Sequence, residues 1–213
     1  MILLPWNSDV TDLKTQILDM MPGEAESLLS INSMVDKARA NDGISRLNIP
    51  PEFLHTLDPS DLPPGDLKMK LGSPLILLWN LCPARGLCNG TQMILLWMSR
   101  WVLEVKLIGG EHNGQLALIP QITLSPTEGQ TGIAFVLKWW QFPVHLAFAL
   151  MINRVQGQSV KHIGVDLRTP VFSHGQLYVA LSRAIVAKTF KSSYPRKRGI
   201  AVRQKTLCTQ KFW

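Results

Sequence analysis

The chain is short of cysteine, has no Asp or Glu after Asp166, and contains no Gly-Lys pair anywhere. Each shortage closes off a class of protein. Cys82, Cys88 and Cys208 are an odd number without C-x-x-C spacing, and the five His are scattered, so neither a disulfide framework nor a zinc site is supported. The thiols read as reduced and no metal ligand set is expected. Without Gly-Lys, the G-x-x-x-x-G-K-[ST] loop that cradles phosphates cannot be written in this sequence. No two acids are adjacent either, which removes the Asp-Glu pair that holds a metal ion after an apolar strand in many nucleotide hydrolases. Long apolar runs are missing too. "LILLW" and "MILLW" are soon followed by polar residues, Pro or Arg, far short of the roughly 18 to 20 residues needed to span a bilayer. The opening "MILLPWNSDV" lacks the basic start and long apolar core of a secretory signal. The expectation is a soluble, intracellular chain with no membrane partner.

What is present is globular in composition: 213 residues, 46% hydrophobic and 17% charged, enough for one large domain or two small ones. The net charge of +7 is unevenly placed. Residues 1–166 carry a slight acidic excess, whereas the remainder is cationic throughout, up to the run "PRKRG". A cationic end on a near-neutral body suits an anionic partner such as nucleic acid, through phosphate neutralisation and counterion release, and suits a solvated basic tail equally well.

Pattern changes along the chain suggest its organisation. "ILLP" reads as a short buried strand, followed by N-cap candidates Ser8 and Asp9 and a helix with Val10, Leu13, Ile17, Met20 and Met21 at helical spacing. Residues 41–66, rich in Pro, Asp and Gly, read as a long connecting segment. "KMKLGSPLILLWNL", "TQMILLWMS", "WVLEVKLI" and "GQLALIPQITL" are strand-like runs between turn signals, the look of a small antiparallel barrel or sheet. "QFPVHLAFALMINRVQGQS" reads as a helix carrying Leu146, Ala149, Leu150 and Ile152, and "HIGVDL" as a buried strand. Ser173 and Gln176 form an S-x-x-Q capping box before the helix "LYVALSRA". The simplest architecture is an α/β domain in two sequence segments, interrupted by a β-barrel-like module.

Three stretches carry a signal beyond packing: "INRVQGQS" (152–159), "GLCNGT" (86–91) and "VFSHGQLYVALSR" (171–183). Read alone, each has an ordinary explanation. Gln-Gly is a common helix end, Asn-Gly a common hairpin turn, and an Arg late in a helix complements its dipole. In this order, with "ILLPWNSDV" and "PSDLPPGDLKMKLGSPLILLWNLCPARGLCNGT", they resemble the C-terminal half of petite-integration-frequency-type DNA helicases, RecD-like members of helicase superfamily one. The helicases of Helitron transposons look most similar.

The resemblance runs from about residue 2 to Arg183. It implies a second RecA-like (P-loop NTPase type) motor domain in two segments, interrupted by a small SH3-like β-barrel module. The implied division is 1–65 for the first motor segment with its connecting loop, 66–137 for the insert, 138–190 for the second motor segment and 191–213 for a basic tail. It implies Arg183 as the catalytic residue reaching the nucleotide's γ-phosphate, with Gln156 and Gly157 also toward the nucleotide. Gln156, Gln158, Ser159 and Asn89 are then the DNA contacts. The physics fits: guanidinium forks onto phosphate oxygens, and amide side chains can hold a strand without a fixed charge, so it can step past. The implied cofactors are ATP and Mg, the implied partners single-stranded or forked DNA and an N-terminal RecA-like motor domain, and the implied location nuclear.

The chain also departs from this pattern. Trp6, Trp79, Trp97 and Trp140 stand where relatives usually carry Arg or Lys, and Val155 where they carry Ser. Arg and Trp codons are one base change apart, which fits mutational decay of a transposon copy. For Trp139 and Trp140, core and stacking roles are both open. The sequence beyond Arg183 no longer matches, and a core strand is expected to be missing there. The leading expectation is a partial ATP-dependent DNA helicase, inactive without its P-loop half. A non-enzymatic single-stranded DNA-binding fragment and a decayed transposon product are the alternatives.

Overall fold

The computed structural model describes residues 1–35, 62–125, 136–155, 163–170, 175–182 and 190–193. The chain divides into two compact units, Met1–Met21 with Leu146–Trp213, and Pro22–His145. The first is made of two sequence segments and the second is continuous.

The two-segment unit is built on a four-stranded parallel sheet in the order β12-β1-β13-β14. Strand β1 (Ile2–Leu4) lies between β12 (Ala149–Met151) and β13 (Ile163–Asp166), and β14 (Phe190–Ser193) extends the sheet beyond β13. Leu3 and Ala149 are fully buried. Helix α1 (Asn7–Met20) turns Val10 and Leu18 inward. Val10 joins Leu4 and Ala149 in one apolar cluster, with Ile2, Leu13 and Met151 against it. Each such aliphatic side chain contributes about 1.5–3 kcal/mol by leaving water. Helix α2 (Gln176–Ser182) buries Ala180 and packs against the 3-10 turn Ile152–Val155.

Four expectations are corrected here. The stretch from residue 141 is not a helix: Val144–Leu146 and Ala149–Met151 are strands β11 and β12, followed by the 3-10 turn. A short apolar run buried on both faces carries no period that separates strand from helix, and Pro143 and the β-branched Val144 favour the extended form. The strand expected to be missing after Arg183 is present as β14, in parallel register with β13 from Ile163↔Phe190 to Asp166↔Ser193. Neither Ser8 nor Asp9 caps α1. The N-cap is Trp6, without a side-chain cap, and its indole Nε1 donates instead to the Pro170 carbonyl at 3.1 Å. Met20 is exposed rather than inward.

Among its described residues the continuous unit is built of strands, with a 3-10 turn at Pro83–Arg85. It contains a two-stranded ribbon of β2 (Glu26–Leu29) and β4 (Asp66–Met69). A three-stranded sheet, β3-β10-β9, is formed by Ile31–Val35, Val136–Gln141 and Ile122–Leu124. The third is a five-stranded sheet, β11-β5-β6-β7-β8, in which β5 (Pro74–Leu77), β6 (Gln92–Met98), β7 (Val102–Ile108) and β8 (Leu116–Pro120) run antiparallel. The strand-like runs read from the sequence between residues 68 and 124 are these strands. The segments 26–35 and 136–141 also form strands, which the sequence reading had not assigned. Trp139 and Phe142 are fully buried. Gln141, also buried, donates from Nε2 to the Leu28 carbonyl at 2.8 Å and accepts the Phe142 N–H at 3.0 Å. A buried amide with both ends satisfied in this way pins β10 to the end of β2.

Candidate functional site

Among the residues singled out from sequence, Gln156, Gly157, Gln158, Ser159, Ser173 and Arg183 lie outside the described residues. What is described is the framework leading to them. Val155 closes the 3-10 turn immediately before Gln156, and Ser182 closes α2 immediately before Arg183. These two elements pack against each other in the two-segment unit. The helix begins on Gly175, whose φ of 90° suits a residue without Cβ, and its first turn closes with Val179 N–H to the Gly175 carbonyl at 2.9 Å. Gln176 is buried, and Tyr178 is exposed on the opposite side.

Asn89 belongs to the other unit. Its side chain is exposed while its backbone is pinned, the N–H donating to Asn80 Oδ1 at 2.7 Å. Thr91 braces the same turn, its hydroxyl donating to the Gly86 carbonyl at 2.7 Å and accepting from Cys88 N–H at 3.1 Å. Gly90, at φ 90°, donates to the Leu77 carbonyl at 2.7 Å. Gly86 is required twice over: its φ is 75°, and a Cβ there would stand 2.5 Å from the His112 ring. The turn presents Asn89 on a rigid base, which a polar contact to a strand needs.

The sequence reading missed a cleft at the carboxyl ends of β1 and β13. It is a cavity of about 270 Å³ lined by Leu4, Asp9, Asp12, Gln16, Asp166 and Arg168, together with Leu13 and Thr169. Carboxyl ends of parallel strands are the usual place for ligands in such sheets. The D-x-R spacing of Asp166 and Arg168 was its only sequence signal. Asp166 accepts the Arg168 backbone N–H at 3.0 Å and takes its guanidinium in a fork, Nε at 3.0 and 2.9 Å and Nη2 at 2.6 Å. That hydrogen bond, then the Asp166 charge, holds the Arg168 guanidinium above its ordinary pKa. With its one cation engaged and three carboxylates on its wall, the cleft repels a phosphate chain. This cleft therefore does not suit a phosphate chain, while Gln156, Gly157 and Arg183, which the resemblance turns toward the nucleotide, lie outside the described residues. No group of His, Cys, Asp and Glu able to hold a metal ion is found among the described residues. None of the described helices is long and apolar enough to cross a membrane.

A mixed unit with a parallel sheet, split by a continuous β unit, defines the class: an α/β domain with an inserted β module. Comparison with known proteins narrows it. Residues 52–97 match the family described as DNA helicase Pif1, 2B domain. The chain is 31% identical over 180 residues to the ATP-dependent DNA helicase PIF1 of Rattus norvegicus, covering 83% of this chain and 24% of that protein. It is similar in fold to the Pif1 helicase from Candida albicans, with a TM-score of 0.66 over 90% of this chain and 44% of that one at 19% identity. It is also similar to Bacteroides Pif1 bound to ssDNA, with a TM-score of 0.60 over 99% of this chain and 42% of that one at 21% identity. The chain is thus Pif1-like and corresponds to the C-terminal portion of such helicases. It spans about a quarter of the length of the curated relative.

Proposed function

We propose that the chain is the second motor domain, with its inserted β module, of an ATP-dependent DNA helicase of Pif1 type. In this reading it turns over ATP only beside a separate P-loop half. The observation that carries it is the packing of α2 on the Ile152–Val155 turn, which leads the chain into Arg183 and Gln156 from adjacent elements of one unit. Arg183 then stabilises charge on a γ-phosphate held, with Mg, by the other half, a role worth about 10³ to 10⁵ in rate where an arginine finger supplies it. Gln156 and Gly157 line the nucleotide side. Gln156, Gln158, Ser159 and Asn89 hold single-stranded or forked DNA. The SH3-like insert, read as 66–137, falls within the unit Pro22–His145. Nuclear work in replication, repair, recombination or telomere maintenance, and descent from a Helitron-type element, extend the same resemblance.

The test is reconstitution. The purified chain is expected to show no ATPase activity with or without single-stranded DNA. Fused behind the P-loop half of a Pif1-type helicase, it is expected to give DNA-stimulated hydrolysis that Arg183→Ala lowers by about 10³ or more. ATPase activity from the isolated chain, or a fusion indifferent to Arg183→Ala, overturns the reading. The adjacent exposed pair Trp101 and Trp140 of the β unit favours a second reading, a non-enzymatic single-stranded DNA-binding fragment.

A further inference from the structure

Two adjacent tryptophans have opposite fates. Trp139 is fully buried, whereas Trp140 is 40% exposed, because strand β10 alternates faces. The exposed face of the β3-β10-β9 sheet therefore carries Trp140 and Lys138, with Ile31 and Ser33 opposite them on β3 and Thr123 opposite Trp140 on β9. Trp101, 52% exposed, stands beside Trp140 with ring centroids 6.3 Å apart and planes inclined at 47°. The Arg100 guanidinium lies 5.2 Å from the centre of the Trp101 ring. Neither Arg100 nor Lys138 is in an ion pair with a described residue, and no carboxylate is among the described residues of this face.

The backbone that carries each indole is held in place. Trp140 is paired on each side within its sheet. Trp101 sits in a tight turn where Ser99 Oγ accepts its N–H at 3.3 Å, and its carbonyl accepts from Gln121 N–H at 3.3 Å. Rigid aromatic faces lose little freedom when they are covered, and flanking cations without carboxylates select an anionic occupant.

We propose that Trp101 and Trp140, with Arg100 and Lys138, form a stacking platform for the bases of single-stranded nucleic acid on the inserted β unit. The indoles take base faces irrespective of sequence, the two cations take the phosphates on either side, and Ser33 and Thr123 offer hydroxyls to the backbone. The platform rests on the reading of the chain as a DNA-handling protein, but needs neither ATP nor the other motor half.

The test uses the full chain, a short fluorescein-labelled oligothymidylate, and an abasic oligonucleotide of equal length and charge. Trp101→Ala and Trp140→Ala are each expected to weaken oligothymidylate binding about tenfold. The abasic strand is expected to bind the wild type more weakly and to ignore both substitutions. Trp140→Phe, which keeps an aromatic face, should stay within about threefold of wild type, and Trp97→Ala, on a different sheet, should bind as wild type. Arg100→Ala and Lys138→Ala should each flatten the logarithmic salt dependence by about 0.7, the increment of one phosphate contact on a single strand. Trp-to-Ala variants that bind oligothymidylate as wild type overturn the platform, as does an equal loss on both oligonucleotides. Trp-dependent binding without reconstituted ATPase sinks the helicase reading and leaves the platform standing. Reconstituted ATPase with Trp-independent binding does the reverse.

Discussion

In the two-segment unit, β1 and β12 present nearly continuous buried runs, Leu3 with Leu4 and Ala149 with Leu150. In the continuous unit, β4 alternates, Asp66 and Lys68 exposed against Leu67 and Met69 buried. The difference follows from what covers each sheet. A central parallel strand meets apolar neighbours on both faces, so its sequence has no period, while an antiparallel strand with one wet face announces itself by alternation. The same contrast predicts how each unit fails. The continuous unit holds two fully buried aromatic rings, Trp139 and Phe142, among its aliphatics. In the two-segment unit the load is spread over small aliphatics.

The comparison is broken most severely at Trp139, fully buried against Gly65, where a Cβ would meet the indole at 3.4 Å. Trp139→Ala is expected to lower the free energy of urea unfolding by about 4 kcal/mol, the usual cost of emptying a buried aromatic site. Trp140→Ala, one residue away, should cost a small fraction of that. Equal losses at the two positions would mean that the faces of β10 are not divided as described. Leu3→Ala, in the middle of the parallel sheet, should cost about 3 kcal/mol, since a fully buried leucine leaves a cavity that its neighbours close only in part. A loss there as large as that of Trp139→Ala would erase the distinction between a site filled by a large ring and one filled by an aliphatic side chain.

How far these units could be read from the sequence depended on which physical signal each element carries. β7 was legible because Glu104 and Lys106 alternate with apolar residues, and β6 because it is a short apolar run, with Gly and Ser marking the ends of both. β1 and β13 were legible from their brevity and the polar residues after them. The segment 141–155 was misread because Leu146, Ala149, Leu150 and Ile152 happen to fall at helical spacing while being buried in strands and a turn. β14 was missed because a resemblance that ends at Arg183 says nothing about the chain after it, and Phe190–Ser193 is too short to declare itself. Asn89 was legible because Asn-Gly marks a tight turn. The Asp166–Arg168 cleft was not, since it draws residues from α1 and from the end of β13, far apart in the chain. The Trp101–Trp140 pair was invisible for the same reason: nothing local says that residue 101 meets residue 140.

The smallest effect is expected at that cleft. Asp166 is largely covered while the Arg168 side chain is two-thirds exposed. An ion pair open to water on one partner gains little net stability, because water and salt already solvate the cation and the fork must immobilise a long side chain. Asp166→Asn keeps one oxygen to accept the Arg168 backbone N–H and removes the charge together with the second acceptor of the fork. Its urea midpoint should lie slightly below wild type in low salt and become indistinguishable from it at high salt. The raised Arg168 pKa works in the same direction, because its contribution is complete below the ordinary arginine value and is lost only as pH rises past the folded-state value. Between mildly acid and mildly alkaline pH the guanidinium should therefore add no slope to stability. A large, salt-independent loss in Asp166→Asn would show instead that the fork is shielded from solvent and holds the end of β13 in place.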